Sequence, residues 1–271
     1  MRKRSLLFLA AAAAGCSSTA RGAAEPWRRP VLVELFTSQG CSSCPPADAF
    51  VRQLPSLGFG RDKVIPLTFH VDYWDRLGWK DPFASGAFTR RQEWYAGAGK
   101  LRSPDGRSGL DGLYTPQMIV DGSVQFSGQR HQTALHEMEA AAARAPVFEL
   151  AVRVAIKGSS ADVTVQSTPA GDAGRDNDWR IVVALAATKA RTPVAHGENA
   201  GETLEEAAVV RALSDRIPIT PQRSSTRIQI SKPADLAWSD VELVVFAQSE
   251  LTREIGGVRT TLLAPSDAPI F

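Results

Sequence analysis

Two cysteines three positions apart, followed at once by two prolines, constrain the local architecture of this chain more than any other feature: GCSSCPPAD, residues 40–48. Proline has no backbone N–H and a fixed φ, so Pro45 and Pro46 fit only the first turn of a helix. The preceding run VLVELFTS (31–38) is apolar and β-rich, as a buried strand requires. The segment therefore reads as strand, turn, helix, with Cys41 and Cys44 where the helix begins. Phe50, Val51 and Leu54 give that helix its core face.

The rest of the chain divides at Pro146. KVIPLTFHV (63–71) predicts a second buried strand, although Pro66 counts against a central place for it. Residues 72–101 form an aromatic-rich, largely helical insert, with a helix opening near Pro82. The glycine-rich stretch 97–112 reads as a surface loop. In YTPQMIVDGSVQFSG (114–128), Asp-Gly between two short apolar runs predicts a hairpin. A helix over 129–145 follows, apolar at Ala134, Leu135, Met138 and Ala142. Beyond Pro146, β-type segments alternate with Gly, Pro, Asp and Ser, the pattern of an antiparallel sandwich. The length of 271 residues, 44% of them hydrophobic, suits two domains, over 31–145 and 146–271, after a linker at 25–30.

Charge excludes some functions. With 31 basic and 29 acidic residues the net charge is only +2, which gives nucleic acid no footprint. MRKR followed by SLLFLAAAAAG has the build of a signal peptide over 1–24. Two exits are open: cleavage after GAA (22–24), or a lipoprotein-type box, AAGC, ending at Cys16. Either one predicts a periplasmic or secreted protein, tethered to a membrane only if Cys16 carries lipid. The chain has three cysteines, so once Cys16 is removed or lipidated, Cys41 and Cys44 have only each other. The compartment permits their disulfide.

The order strand, CxxC at a helix start, strand, helical insert, Thr-Pro hairpin, helix is that of a thioredoxin-like α/β domain. The expected fold class is such a domain followed by an all-β antiparallel sandwich. In a thioredoxin-like domain a cis-proline faces the cysteine pair, and Thr115–Pro116 is the candidate. The stretches VELFTSQGCSSCPPAD, FHVDYWDRLGWKDPF, YTPQMIVDG and HGENAGETL with VVRAL together resemble the secreted family called domain of unknown function 1223, over roughly residues 30 to 250. The resemblance implies a thioredoxin-like first domain and supports the site, but it supplies no substrate.

A thiol–disulfide oxidoreductase is the leading functional expectation. At a helix N-terminus a thiolate is stabilised by free N–H groups, so an exposed Cys41 would attack and a deeper Cys44 would resolve the mixed disulfide. Ser42 and Ser43 add donors near the sulfur. Pro116 would lie against the pair and leave the Thr115 backbone to meet an incoming peptide. Glu34, in the first strand, is either a buried proton shuttle or an ordinary outward or salt-bridged acid. His70, at the end of the second strand, either tunes Cys41, binds metal or is structural. HGENAG (196–201) either reaches the cysteine site, forms an interdomain contact or is a plain turn. No resident cofactor is implied beyond the redox-active pair, and the partners would be protein or small-molecule thiols and an external redox partner. Two alternatives stand beside this reading. One is a copper- or zinc-handling protein using both sulfurs and His70, unsupported by any second CxxC or His-x-x-His. The other is a non-catalytic binding module in which the pair is a structural clamp.

Overall fold

A computed structural model describes residues 27–104, 113–175, 178–220 and 224–263. The leader with both its exits, Cys16 and residues 105–112 of the glycine-rich loop lie outside the described residues. Among those described, no helix is long and apolar enough to cross a membrane.

The first half builds the elements its sequence announces. β1 (Val31–Thr37) is buried along its whole length and runs into α1 (Pro45–Gln53), whose first two positions are the prolines. β2 (Val64–His70) pairs in parallel with β1. α2 (Gly86–Ala96) is capped by Ser85, whose hydroxyl accepts from the Ala87 N–H at 3.2 Å. β3 (Gln117–Val120) and β4 (Val124–Ser127) form the hairpin, and α3 (His131–Ala142) follows. Val120 pairs with Val124, so the loop holds three residues rather than the expected two, and Asp121 and Gly122 in it have φ of 53° and 66°, left-handed values that Asp and Gly tolerate. Gly122 also has no room for a side chain, because a Cβ there would lie 2.0 Å from the Arg253 carbonyl oxygen.

The expected fold class is overturned. The described residues are mostly β, with three α-helices, and they do not make a thioredoxin-like α/β unit followed by a separate sandwich. A mixed nine-stranded sheet draws strands from both sides of Pro146. From the second half come β7 (Trp179–Pro193), β8 (Thr203–Leu213), the short β9 (Ile217–Pro218), β11 (Val241–Ser249) and β12 (Ile255–Leu262). The order is β12-β11-β7-β8-β2-β1-β3-β4, with β9 beside β7. β8 joins β2 in parallel through Thr68 and Val209, so β2 becomes a central strand. Pro66 is tolerated there because it lies outside that single paired position. β5 (Phe148–Lys157), β6 (Ser160–Pro169) and β10 (Ser225–Ser231) form a separate three-stranded antiparallel sheet.

Alternation along the strands separates two faces. Leu32 and Phe36 of β1, Phe69 of β2, Val182 and Ala184 of β7 and Phe246 of β11 share a core with Phe88 and Tyr95 of α2. On the opposite face, Val33 and Leu35 pack under α1 and α3 with Phe50, Val51 and Met138. Ile181, Val183, Leu243 and Val245 pack there against Leu150, Val163 and Ile228 of the small sheet. Strands buried on both faces read as continuous apolar runs, and β7 and β11 show that pattern.

Candidate functional site

Cys41 and Cys44 form a disulfide. The chain turns twice before the helix: the Cys41 N–H donates to Ser38 O at 3.1 Å and the Cys44 N–H to Cys41 O at 3.2 Å. Cys44 is the N-cap of α1, and Cys41 belongs to the turn ahead of it. The expectation of an exposed Cys41 at the first helical position is therefore corrected. Both cysteines are fully buried, and the residues that face solvent are Ser42 and Ser43. The Ser43 hydroxyl lies 3.3 Å from Cys41 Sγ.

The Thr115–Pro116 bond is cis, and Pro116 is buried. It lies beside the first turn of α1: Gly128 is hemmed in by Ala47, Leu35 and Pro116, whose nearest carbons would stand 2.9, 3.0 and 3.3 Å from a Cβ there. The Trp74 indole N–H donates to Thr115 Oγ1 at 2.8 Å. Trp74 also closes on Gly40, where a Cβ would meet its own Cβ at 3.2 Å. Trp74 thus ties the Thr115 segment to the residue before Cys41.

Glu34 is not near the pair. Strand alternation turns it to the α2 face, away from Thr37 and α1. There its Oε1 accepts from Arg91 Nε at 2.6 Å and its Oε2 from the Tyr95 hydroxyl. Arg91 Nη2 continues to Gln248 Oε1 at 3.0 Å, on β11. The salt-bridge reading of Glu34 holds, and the shuttle reading is withdrawn.

The buried acid beside the disulfide is Asp48, which sequence reasoning passed over. It stands four residues after Cys44, so the two side chains are neighbours along one face of α1. Its Oδ2 accepts from Thr37 Oγ1 at 3.1 Å, and its Oδ1 has no hydrogen-bond partner among the described residues. Burial, reinforced by the charge of Glu206, pushes its carboxyl up to about 8. At pH 7 this favours its protonated, neutral form.

Asp48 opens onto a buried ionisable cluster. His70 Nδ1 lies 2.7 Å from Asp81 Oδ2, and its Nε2 lies 3.6 Å from Glu206 Oε1. Burial alone would favour the neutral imidazole, but Glu206 and Asp81 outweigh it and raise His70 to about 9. Burial opposes the charge of Asp81 too, yet His70 and the N–H groups of Gln39 and Phe83 hold it below the usual carboxylate range. Glu206 is raised by burial. Gln39 stitches this cluster to the cysteine loop. Its N–H donates to Asp81 Oδ2 at 2.8 Å, and its side-chain amide donates to Glu206 Oε2 at 2.8 Å and Thr192 Oγ1 at 3.0 Å. Among the described residues, Asp48 Oδ1, His70 Nε2 and Glu206 Oε1 are buried without a hydrogen-bond partner. Among the described residues no group of three His, Cys, Asp or Glu stands in a metal-holding arrangement.

HGENAG reaches the cysteine site, the first of its three readings. It caps the β7–β8 hairpin, and Asn199 Nδ2 donates to Gln39 O at 2.8 Å and Cys41 O at 3.1 Å. Asp81 and Glu206 escape sequence reasoning because they come from two different segments away from the cysteine pair. Asp48 left a signal in its four-residue spacing from Cys44.

Fold and site together define a mixed-sheet protein that keeps a buried disulfide at a strand–helix turn, next to a cluster of buried ionisable groups. The chain belongs to the family described as Protein of unknown function (DUF1223), which matches residues 32–248. A crystal structure of a protein from Agrobacterium tumefaciens is similar, with 24% identity and a TM-score of 0.62, covering 88% of this chain and 96% of that one. HBP35 of Porphyromonas gingivalis is also similar, with 14% identity and a TM-score of 0.59, covering 88% of this chain and 76% of that one. At these identities the likeness shows the fold alone. No curated protein matches.

Proposed function

We propose that the protein is a thiol–disulfide oxidoreductase working outside the cytoplasm, with Cys41–Cys44 as the exchanging pair. One observation carries this reading: a neutral buried carboxyl, Asp48, lies one helical turn from Cys44, at the edge of a buried charged cluster. Burying ionisable groups costs stability, and a disulfide that serves only as a clamp needs none of them.

The chemistry follows from that placement. A substrate thiolate attacks Cys41 Sγ, the Cys41–Cys44 bond breaks, and a substrate–Cys41 mixed disulfide forms. The electron pair leaves on Cys44 as a thiolate, and Asp48 supplies its proton. A second substrate thiolate attacks the substrate sulfur of the mixed disulfide, releasing the substrate disulfide and the Cys41 thiolate, which takes a proton from solvent. The substrate loses two electrons and the pair gains them.

The test follows oxidation of a reduced, unfolded protein at pH 7. Wild type is expected to introduce disulfides and Cys41→Ser to introduce none. Asp48→Asn should slow the reaction by about 100-fold, the usual worth of a positioned acid, and flatten its pH profile near 8. Equal rates for wild type and Cys41→Ser would end the proposal.

A second reading has its own observation. The complete burial of both sulfurs favours a fixed structural clamp. It requires a disulfide that never equilibrates with external thiols, and the same assay then shows no activity in any variant.

A further inference from the structure

Cys41 has no exposed surface, although the two residues after it face solvent. Part of its cover comes from far along the chain. β7 and β8 pair down to Pro193 and Thr203, and the turn beyond them is closed by the Gly201 N–H donating to Val194 O at 2.9 Å. This turn, residues 196–201, lies over the cysteine loop. Asn199, itself 7% exposed, spans two carbonyls, Gln39 O and Cys41 O. The Glu198 carboxylate accepts the Ser42 N–H at 3.0 Å. Gly197, at φ 81°, closes on Trp79, where a Cβ would stand 3.0 Å from the indole's own Cβ. Trp79 in turn donates to Gln39 Oε1 at 3.3 Å.

The hydrogen bonds from this turn to the cysteine loop engage three main-chain groups, one N–H on Ser42 and two carbonyls on Gln39 and Cys41, beside the Ser42 side chain, which also bonds Glu198. Lifting the turn would uncover these three groups, one of them on Cys41 itself. They match what an extended polypeptide offers, a carbonyl for the N–H and an amide N–H for a carbonyl. A small thiol cannot satisfy all three.

The geometry points to residues 196–201 as a lid over Cys41, and to a polypeptide cysteine, its backbone taking the lid's place, as the substrate class. The second half of this inference rests on the oxidoreductase reading, while the lid itself does not.

The experiment measures the rate at which dithiothreitol reduces Cys41–Cys44 in the full chain. One dithiothreitol thiolate attacks Cys41 Sγ and Cys44 leaves as a thiolate. The second thiolate then closes the cyclic dithiothreitol disulfide and frees Cys41. This requires no biological partner, so an inactive enzyme cannot mask the result. Asn199→Ala is expected to react at least tenfold faster than wild type, and Glu198→Gln, an exposed change that leaves the fold intact, several-fold faster. Rates within twofold of wild type for both variants overturn the lid. A second arm reduces wild type with a single-cysteine peptide and with free cysteine at equal thiolate concentration. Faster reaction with the peptide supports the polypeptide class, and equal rates overturn it whatever the lid variants do.

Discussion

Replacing Arg91 by methionine is expected to lower the unfolding free energy by about 3–5 kcal/mol, the usual result of removing one partner from a buried ion pair. The methionine keeps much of the packing volume and removes the charge. Glu34, 1% exposed, would then keep the Tyr95 hydroxyl and lose the Arg91 cation. Arg91 also stacks over Phe69, Tyr95 and Phe246, with its guanidinium carbon 5.5, 5.2 and 5.3 Å from the ring centroids, and bonds Gln248. It therefore joins β1, α2, β2 and β11 across the point where the two halves of the chain share one sheet. Urea unfolding at pH 7 gives the value. A loss under about 1 kcal/mol would mean that the pair is solvated like a surface ion pair in the native state. A double variant, Glu34→Leu with Arg91→Met, should recover much of the loss, because it leaves no buried charge unpaired.

Stability is expected to fall as the pH rises from 6 to 8, by about 2 kcal/mol from Asp48 alone. The sign comes from its proton. The unfolded chain releases that proton near 3.8 and the folded protein holds it to about 8, so folding binds a proton throughout that window. Each unit of pH then costs up to about 1.4 kcal/mol. His70 acts in the same direction between 6.5 and about 9, because its charged form is favoured by folding and that stabilisation is lost as the pH rises. Glu206, also raised, adds to the slope, whereas the depressed Asp81 acts only in acid, below 3.8. Asp48→Asn should remove its share, making the variant more stable than wild type at pH 8.5 and nearly equal to it at pH 4. Thermal melts across this range provide the check. A wild-type profile flat between pH 6 and 8 would show that Asp48 is ionised in the folded protein.

Much of this was legible where the signal is local. The two prolines placed the start of α1, the Asp-Gly pair placed the β3–β4 turn, and the strand ahead of Cys41 is β1 as read. The sheet was not legible, because nothing near Thr68 or Val209 announces that β2 and β8 will pair across so much intervening chain. Segments such as β7 and β11, apolar on both faces, suit a sandwich and the middle of a large sheet equally well. The site was half legible. Cys41, Cys44, Pro116 and His70 fall in one region, but the acid behind the pair was sought in Glu34. The error was one of facing. Val33, Leu35 and Thr37 look toward α1, and Glu34, out of phase with them, looks away. Asp48 satisfies the spacing that a helix imposes on a neighbour of Cys44. Cys41 was expected at the surface because it was read as the first position of the helix; it lies in the turn ahead of α1 and is buried, with Ser42 and Ser43 exposed beside it and its carbonyl bonded by Asn199.

The central claim is that Cys41–Cys44 exchanges with external thiols. Its most direct test is the reduction potential of the pair, measured by equilibrating the full chain in glutathione buffers and counting free thiols by mass after alkylation. An exchanging pair is expected to lie above about −270 mV, in the range of known disulfide oxidoreductases. A potential below about −300 mV, or a disulfide that never equilibrates, would place the pair among structural disulfides and contradict the claim.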